Sequence, residues 1–156
     1  MAIVKRLKEF LDKERVAYRV TTHVETFTAQ ETAAAAHVSG KALAKVVVVK
    51  RGSTFALAVL PAACKVSTER LRGILGAADV SLAREAEFSP LFPDCDAGAM
   101  PPFGSLYGLE TLVDQEVAVL PEIVFRGGSH HELVAMPYAD YARLVKPKVG
   151  DFCVHD

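Results

Sequence analysis

Four consecutive valines, Val46 to Val49, constrain this chain more than any other feature. They lie inside GKALAKVVVVKRG, from Gly40 to Gly52. Side chains on a strand alternate between faces, so Val47 and Val49 share one face with Lys45, and Val46 and Val48 take the other. Apolar residues on both faces need cover on both sides, which predicts a central strand over about 43–51. Arg51-Gly52-Ser53 separates it from TFALAVL, Thr54 to Leu60, at hairpin spacing. Lys45 stands at the mouth of this strand. A charged amine there is costly unless something anionic meets it. Alternatively its stem lies along the valines and its charge reaches water. Taken alone, this stretch leaves both readings open.

The other segments set the class. Residues 3–14 read as an amphipathic helix with Val4, Leu7 and Leu11 on one stripe, flanked by Ile3 and Phe10. Ala17 to Thr21 reads as a short strand, and Thr28-Ala-Gln-Glu31 is a capping box that opens an alanine-rich helix at about 29–37. Pro61 ends the second hairpin strand, and Ser67 caps a helix over 68–75 that stops at Gly76. A short strand within 79–83, a short helix over 84–92 broken by Pro90 and Pro93, and a Gly/Pro-rich loop over 93–108 follow. Further strands are predicted near 111–114, 117–119, 122–126 and 131–136, then a helix at about 138–145 and a loosely held tail from Lys146. Bunched strands, interspersed helices and hairpin-short connections predict a mixed, mainly antiparallel α+β fold rather than a doubly wound one.

Length and charge narrow the function classes. The 156 residues fit one domain spanning 1–156. Folding at that size hides about two-thirds of the unfolded surface, enough for a core without metals or disulfides. Cys64, Cys95 and Cys153 are odd in number and lack CxxC spacing, so they read as free thiols in a reducing, cytoplasmic setting. No apolar run approaches the roughly 18 residues of a membrane span, and the acid-bearing N-terminus resembles neither a signal nor a transit peptide. A net charge of -1 excludes a strongly basic nucleic-acid coat while permitting a local basic site.

The candidate chemistry is sparse. Gly98-Ala-Met-Pro-Pro-Phe-Gly104 is stiffened by two prolines and bounded by glycines, so it can aim backbone N–H groups at an anion or a carbonyl. A tight surface turn would use the same residues. His23 follows a strand and precedes the capped helix, as a base, a sugar contact or a loop histidine bonded to nearby backbone. His130 and His131 are adjacent, so they point to opposite faces and make poor metal spacing. There is no GxSxG elbow, P-loop, GxGxxG or HExxH. Cys64, just beyond the second hairpin strand, reads as a buried small hydrophobe rather than a thiolate.

Four segments in order carry a resemblance. They are Ala44-Lys45 with its valine run, Pro102-Phe103-Gly104, Leu112-Val113-Asp114, and Gly127-Gly128-Ser129-His130-His131-Glu132 before a last helix. Together with THVETFTAQETAAAAHVSG upstream, the chain resembles the YbaK family of free-standing aminoacyl-tRNA deacylases, similar to the editing domain of bacterial prolyl-tRNA synthetases. The resemblance covers about residues 5–145. It implies a compact, barrel-like, largely antiparallel sheet surrounded by helices. It also implies hydrolysis of the ester on mischarged tRNA, foremost Ala-tRNA(Pro), with no cofactor, no metal and no protein nucleophile. A prolyl-tRNA synthetase is a candidate partner. Lys45 matches the family's key functional side chain, and Gly98, Pro102, Phe103 and Gly104 match the loop beside the ester. His23, Thr28, His130 and His131 are the candidate substrate contacts, and either His130 or His131 can be the one that faces the pocket. The competing reading is a non-catalytic module that holds tRNA or an aminoacyl-adenosine-like ligand in the same pocket.

Overall fold

A computed structural model describes residues 3–22 and 43–155. The hairpin expected at Gly52 stands at its centre. Strand β2 (Ala44–Arg51) pairs with β3 (Thr54–Pro61) from Ala44 opposite Pro61 to Arg51 opposite Thr54. Gly52 turns the chain with φ +60°. Before the hairpin come helix α1 (Lys5–Lys13) and strand β1 (Arg19–Thr22). After it come β4 (Cys64–Val66), α2 (Thr68–Leu75), β5 (Val80–Leu82) and α3 (Glu85–Phe88). Next are β6 (Glu110–Asp114), α4 (Gln115–Ala118), β7 (Glu122–Arg126), β8 (Glu132–Pro137) and α5 (Tyr138–Val145). The chain ends with β9 (Lys148–Gly150) and β10 (Cys153–His155). The capping box at Thr28–Glu31 and the helix expected at 29–37 lie outside the described residues.

One sheet runs β5-β2-β3-β6-β9, a second β1-β8-β7 and a third β10-β4. Only β3–β6 and β6–β9 are parallel, so the described pairing is mainly antiparallel. A single parallel bridge, Leu43 to Val124, joins the first two sheets; no continuous closed barrel forms among the described residues. The valine run is covered on both sides, as its composition requires. Val49 packs with Ala58, Leu60, Leu71 and Phe152, whereas Val48 packs with Leu57, Phe92 and Met100. Both valines are at most 3% exposed, and burial of each contributes about 2 kcal/mol. The caps on α2 follow the sequence signals: Ser67 Oγ accepts from the Arg70 N–H at 3.1 Å, and Gly76 closes the helix at φ +64°.

Three expectations fail here for one connected reason. Residues 117–119 were predicted to be a strand, but α4 occupies 115–118. Asp114 Oδ2 caps it by accepting from Glu116 N–H at 2.9 Å. The other oxygen, Oδ1, accepts from the N–H groups of Phe152 and Cys153, both at 2.9 Å. Asp114 therefore holds down the segment expected to be loose. The tail is not loose: Phe152 is fully buried, β9 pairs with β6, and β10 pairs with β4. That pairing brings Cys153 to Cys64, and the two form a disulfide with Cα atoms 5.5 Å apart. Two of the three expected free thiols are thus joined, while Cys95 remains a free cysteine. Among the described residues, no helix is long and apolar enough to cross a membrane.

Candidate active site

The site begins where, among the described residues, β5 stops alongside β2. Strand β5 pairs only with residues 49–51 of β2, followed by one more bond from Ala83 N–H to Val48 C=O at 3.0 Å. Along an antiparallel strand, successive residues send their backbone groups to opposite edges. Val48 points to the β5 side, so Val46 aims its N–H and C=O groups to that same side, beyond the end of β5, while the Leu43–Val124 bridge takes up that side at Ala44. Leu43, Ala44, Lys45 and Val46 line a cleft there together with Gly98, Met100 and Arg126. The cleft is narrow, with a solvent-accessible cavity volume of about 10 Å³. Lys45 is half-buried at its rim.

The 98–104 loop is not a surface turn. Gly98 is exposed, but residues 99–104 are all buried. Gly98 adopts φ +81°, a conformation glycine reaches without strain. Its carbonyl accepts from the Arg126 guanidinium at 3.1 Å. Ala99 N–H bonds Asp96 C=O, and Ala99 C=O accepts from Gly128 N–H at 2.9 Å. Phe103 N–H is bonded to Pro101 C=O, Gly104 N–H to Thr111 Oγ1, and neither proline has an N–H. Among the described residues this leaves the amides of Gly98 and Met100 without a protein acceptor. Both residues line the cleft.

The remaining loop residues anchor it from behind. Phe103 is fully buried and meets Phe125 and Tyr141 edge-on at 5.4 and 5.3 Å between ring centres. Pro102 C=O accepts from the Tyr141 hydroxyl at 2.6 Å. Burial pushes the Tyr141 hydroxyl well above its ordinary range, so it stays a donor. A Cβ on Gly104 would come within 2.4 Å of Thr111 Oγ1 and 2.5 Å of Leu109 C=O. Since Leu109 contributes backbone there, the loop itself must move. Gly104→Ala is therefore expected to cost about 2–3 kcal/mol, from overpacking and a strained Thr111 bond. Urea denaturation checks this, and an unchanged midpoint counts against the close-approach argument.

The two histidines diverge, as adjacency requires. His130 packs over Gly98, its Cε1 lying 3.7 Å from where a Cβ on that glycine would sit. Its Nε2 bonds Ala97 C=O at 2.8 Å. A carbonyl only accepts, so Nε2 carries the proton and Nδ1 is left as an acceptor, buried and without a partner among the described residues. His131 is exposed in a separate groove with Ile3, Asp94, Asp96 and Ser129. His23 and Thr28 lie outside the described residues.

No thiolate serves the cleft. Cys64 is in the disulfide. Burial drives the Cys95 thiol up to about 11, with adjacent Asp94 adding to the effect, so it remains protonated at neutral pH. What lines the cleft is two cationic side chains, Lys45 and Arg126, and two residues, Gly98 and Met100, whose amides have no acceptor among the described residues. Sequence reading missed Arg126, Met100 and the Val46 backbone. Arg126 had a faint signal, a lone cation closing an apolar strand run just before Gly127-Gly128.

Residues 23–144 match the aminoacyl-tRNA editing domain family. The chain belongs to this family. It is an aminoacyl-tRNA deacylase, an ester hydrolase whose substrate is mischarged tRNA, and the non-catalytic reading gives way. The multifunctional Ser/Thr-tRNA deacylase ProXp-y of Escherichia coli K12 is 31% identical over 156 residues, covering 95% of this chain and 91% of that protein. Solved structures share the fold. A candidate trans-editing enzyme for prolyl tRNA synthetase superposes with a TM-score of 0.83 at 19% identity, over 97% of this chain and 96% of the other. A hypothetical protein superposes with a TM-score of 0.87 at 20% identity, over 96% of this chain and 100% of the other.

Proposed function

We propose that this editing domain clears small amino acids from tRNA, with serine and threonine ahead of alanine, and that the cleft beside Lys45 is where the ester is hydrolysed. The observation that carries the reading is that Gly98 and Met100, whose amides have no acceptor among the described residues, line one cleft with Lys45, Val46 and Arg126. An aminoacyl ester is already activated, so the site has to supply position, a held water and stabilisation of the developing oxyanion. Lys45 and Arg126 hold the phosphate or ribose end of the terminal adenosine. The Gly98 and Met100 N–H groups receive the carbonyl oxygen as it gains charge. Val46 C=O accepts from the substrate ammonium, and His130 stiffens the 97–98 backbone. Water attacks the carbonyl carbon, oriented by the free hydroxyl of the adenosine, and the ribose oxygen leaves with a proton.

The order of substrates rests on two supports. The relative that is 31% identical is named for Ser/Thr-tRNA. In addition, strand-edge N–H and C=O groups can bond a side-chain hydroxyl that alanine lacks, and a site committed to such a bond disfavours the analogue without it. Alanine on tRNA(Pro), implied by the family resemblance, is accordingly the second-ranked substrate. Proline is excluded by overpacking a small cleft. One domain carries the activity: β1 and β9, which flank the matched segment, pair with β8 and β6 inside it.

A panel of Ser-, Thr-, Ala-, Cys- and Pro-charged tRNAs, assayed with the purified chain, tests this reading. Serine and threonine esters are expected to turn over about tenfold faster than alanine, with proline resistant. Alanine leading would reverse the order, and equal rates for proline would remove the cleft as the discriminating element.

A further inference from the structure

Away from the editing cleft, β4, β10 and α4 bring together four groups that the deacylase reaction does not use. They are Cys64, Cys153, His155 and Glu116, whose donor atoms all lie within 4.8 Å of one another. We propose that this cluster is a redox-gated site for a divalent zinc-type cation, closed by the Cys64–Cys153 disulfide when oxidised and opened to metal when reduced.

The donor set is of the kind zinc takes: two thiolates, an imidazole and a carboxylate. With zinc–sulfur bonds near 2.3 Å and zinc–nitrogen or –oxygen bonds near 2.0 Å, a tetrahedral shell puts sulfur about 3.6 Å from nitrogen or oxygen. Cys153 Sγ is 3.4 Å from Glu116 Oε2 and 3.7 Å from His155 Nε2, and Cys64 Sγ is 3.7 Å from the same imidazole nitrogen. Three edges of the tetrahedron already have their lengths. The sulfurs must part to about 3.8 Å, and the His155–Glu116 contact, now 2.7 Å, must relax to about 3.3 Å. Breaking the S–S bond permits the first change, and a cation between the two groups produces the second.

Burial suits a surface clip. Cys64 and Cys153 are 1% and 4% exposed, so the soft ligands are shielded. The side chains of His155 and Glu116 are 53% and 39% exposed, which leaves an entry path. The fold also has a use for the ion, since the sulfurs join β4 to the final strand and a bridging metal keeps that join after reduction. In the gating step a dithiol reductant attacks one sulfur of the cystine. Two electrons and two protons pass to the chain, and the reductant leaves as its own disulfide. Metal binding then expels the two thiol protons.

Cobalt(II) titration of the full chain tests the proposal. The reduced protein is expected to bind one equivalent and to show a thiolate-to-cobalt charge-transfer band with tetrahedral d–d bands; the oxidised protein shows neither. His155→Ala and Glu116→Gln keep both cysteines and the disulfide, yet each is expected to lower cobalt and zinc affinity at least tenfold. Absence of the charge-transfer band in reduced protein, or wild-type affinity in both variants, overturns the site. If the reduced chain loses its circular dichroism, one equivalent of zinc is expected to restore it, and failure to restore it likewise overturns the proposal.

Discussion

Lys45→Ala lowers deacylation by on the order of 10²-fold in kcat/KM while the protein stays folded. The size follows from where the side chain stands. Lys45 lines the cleft with Gly98 and Met100, and in the proposed site its cation meets the negative charge of the terminal nucleotide. The stability cost is small because Lys45 is only half-buried and the paired backbone of β2 is untouched. Lys45→Met separates charge from stem, since methionine keeps the aliphatic packing on the strand. It is expected to lose as much activity as alanine while matching the wild-type melting temperature. The kinetic split carries further information. A contact equally strong in substrate and transition state raises KM alone, whereas one that tightens as the oxyanion forms lowers kcat. Single-turnover assays on seryl- and alanyl-tRNA measure both, and full activity in a folded Lys45→Met protein would end the role assigned to this residue.

Reduction of the Cys64–Cys153 disulfide, with chelator present, costs about 4 kcal/mol of stability. The bridge closes a loop across a sequence separation of 89, and chain-entropy loss for a loop of that size corresponds to about 4–5 kcal/mol. For a chain of this length that is a fall in melting temperature of about 10–15 °C. Cys153→Ser is expected to behave like the reduced protein. Asp114 keeps its bonds to Phe152 and Cys153 N–H in both, so the C-terminal segment should loosen without the sheet dissolving. Thermal unfolding of oxidised, reduced and Cys153→Ser protein checks this, and coincident transitions for all three would show that the bridge does not carry the stability assigned to it.

Much of the frame was legible in the residues themselves. The valine run, the Gly52 turn and the caps at Ser67 and Gly76 act within a few positions, and each determines local geometry wherever the segment lies. Adjacency alone required His130 and His131 to diverge. One local signal also outweighed another. Val117 to Val119 has strand composition, but the Asp114 carboxylate offers a helix cap, and Val117 is buried as part of α4.

The tertiary structure decided what depends on residues far apart in the chain. Arg126 reaches Gly98 across 28 positions, Asp114 reaches Phe152 across 38, and Cys64 meets Cys153 across 89. No periodicity or cap encodes such pairings, because they arise only once sheets have stacked and burial has selected which polar groups must be satisfied. The sequence by itself determined the central hairpin, its two-sided burial and the lysine at its mouth. Only the fold ended β5 beside the second half of β2 and brought Gly98, Met100 and Arg126 to one cleft with Lys45 and Val46, the juxtaposition on which the proposed site rests.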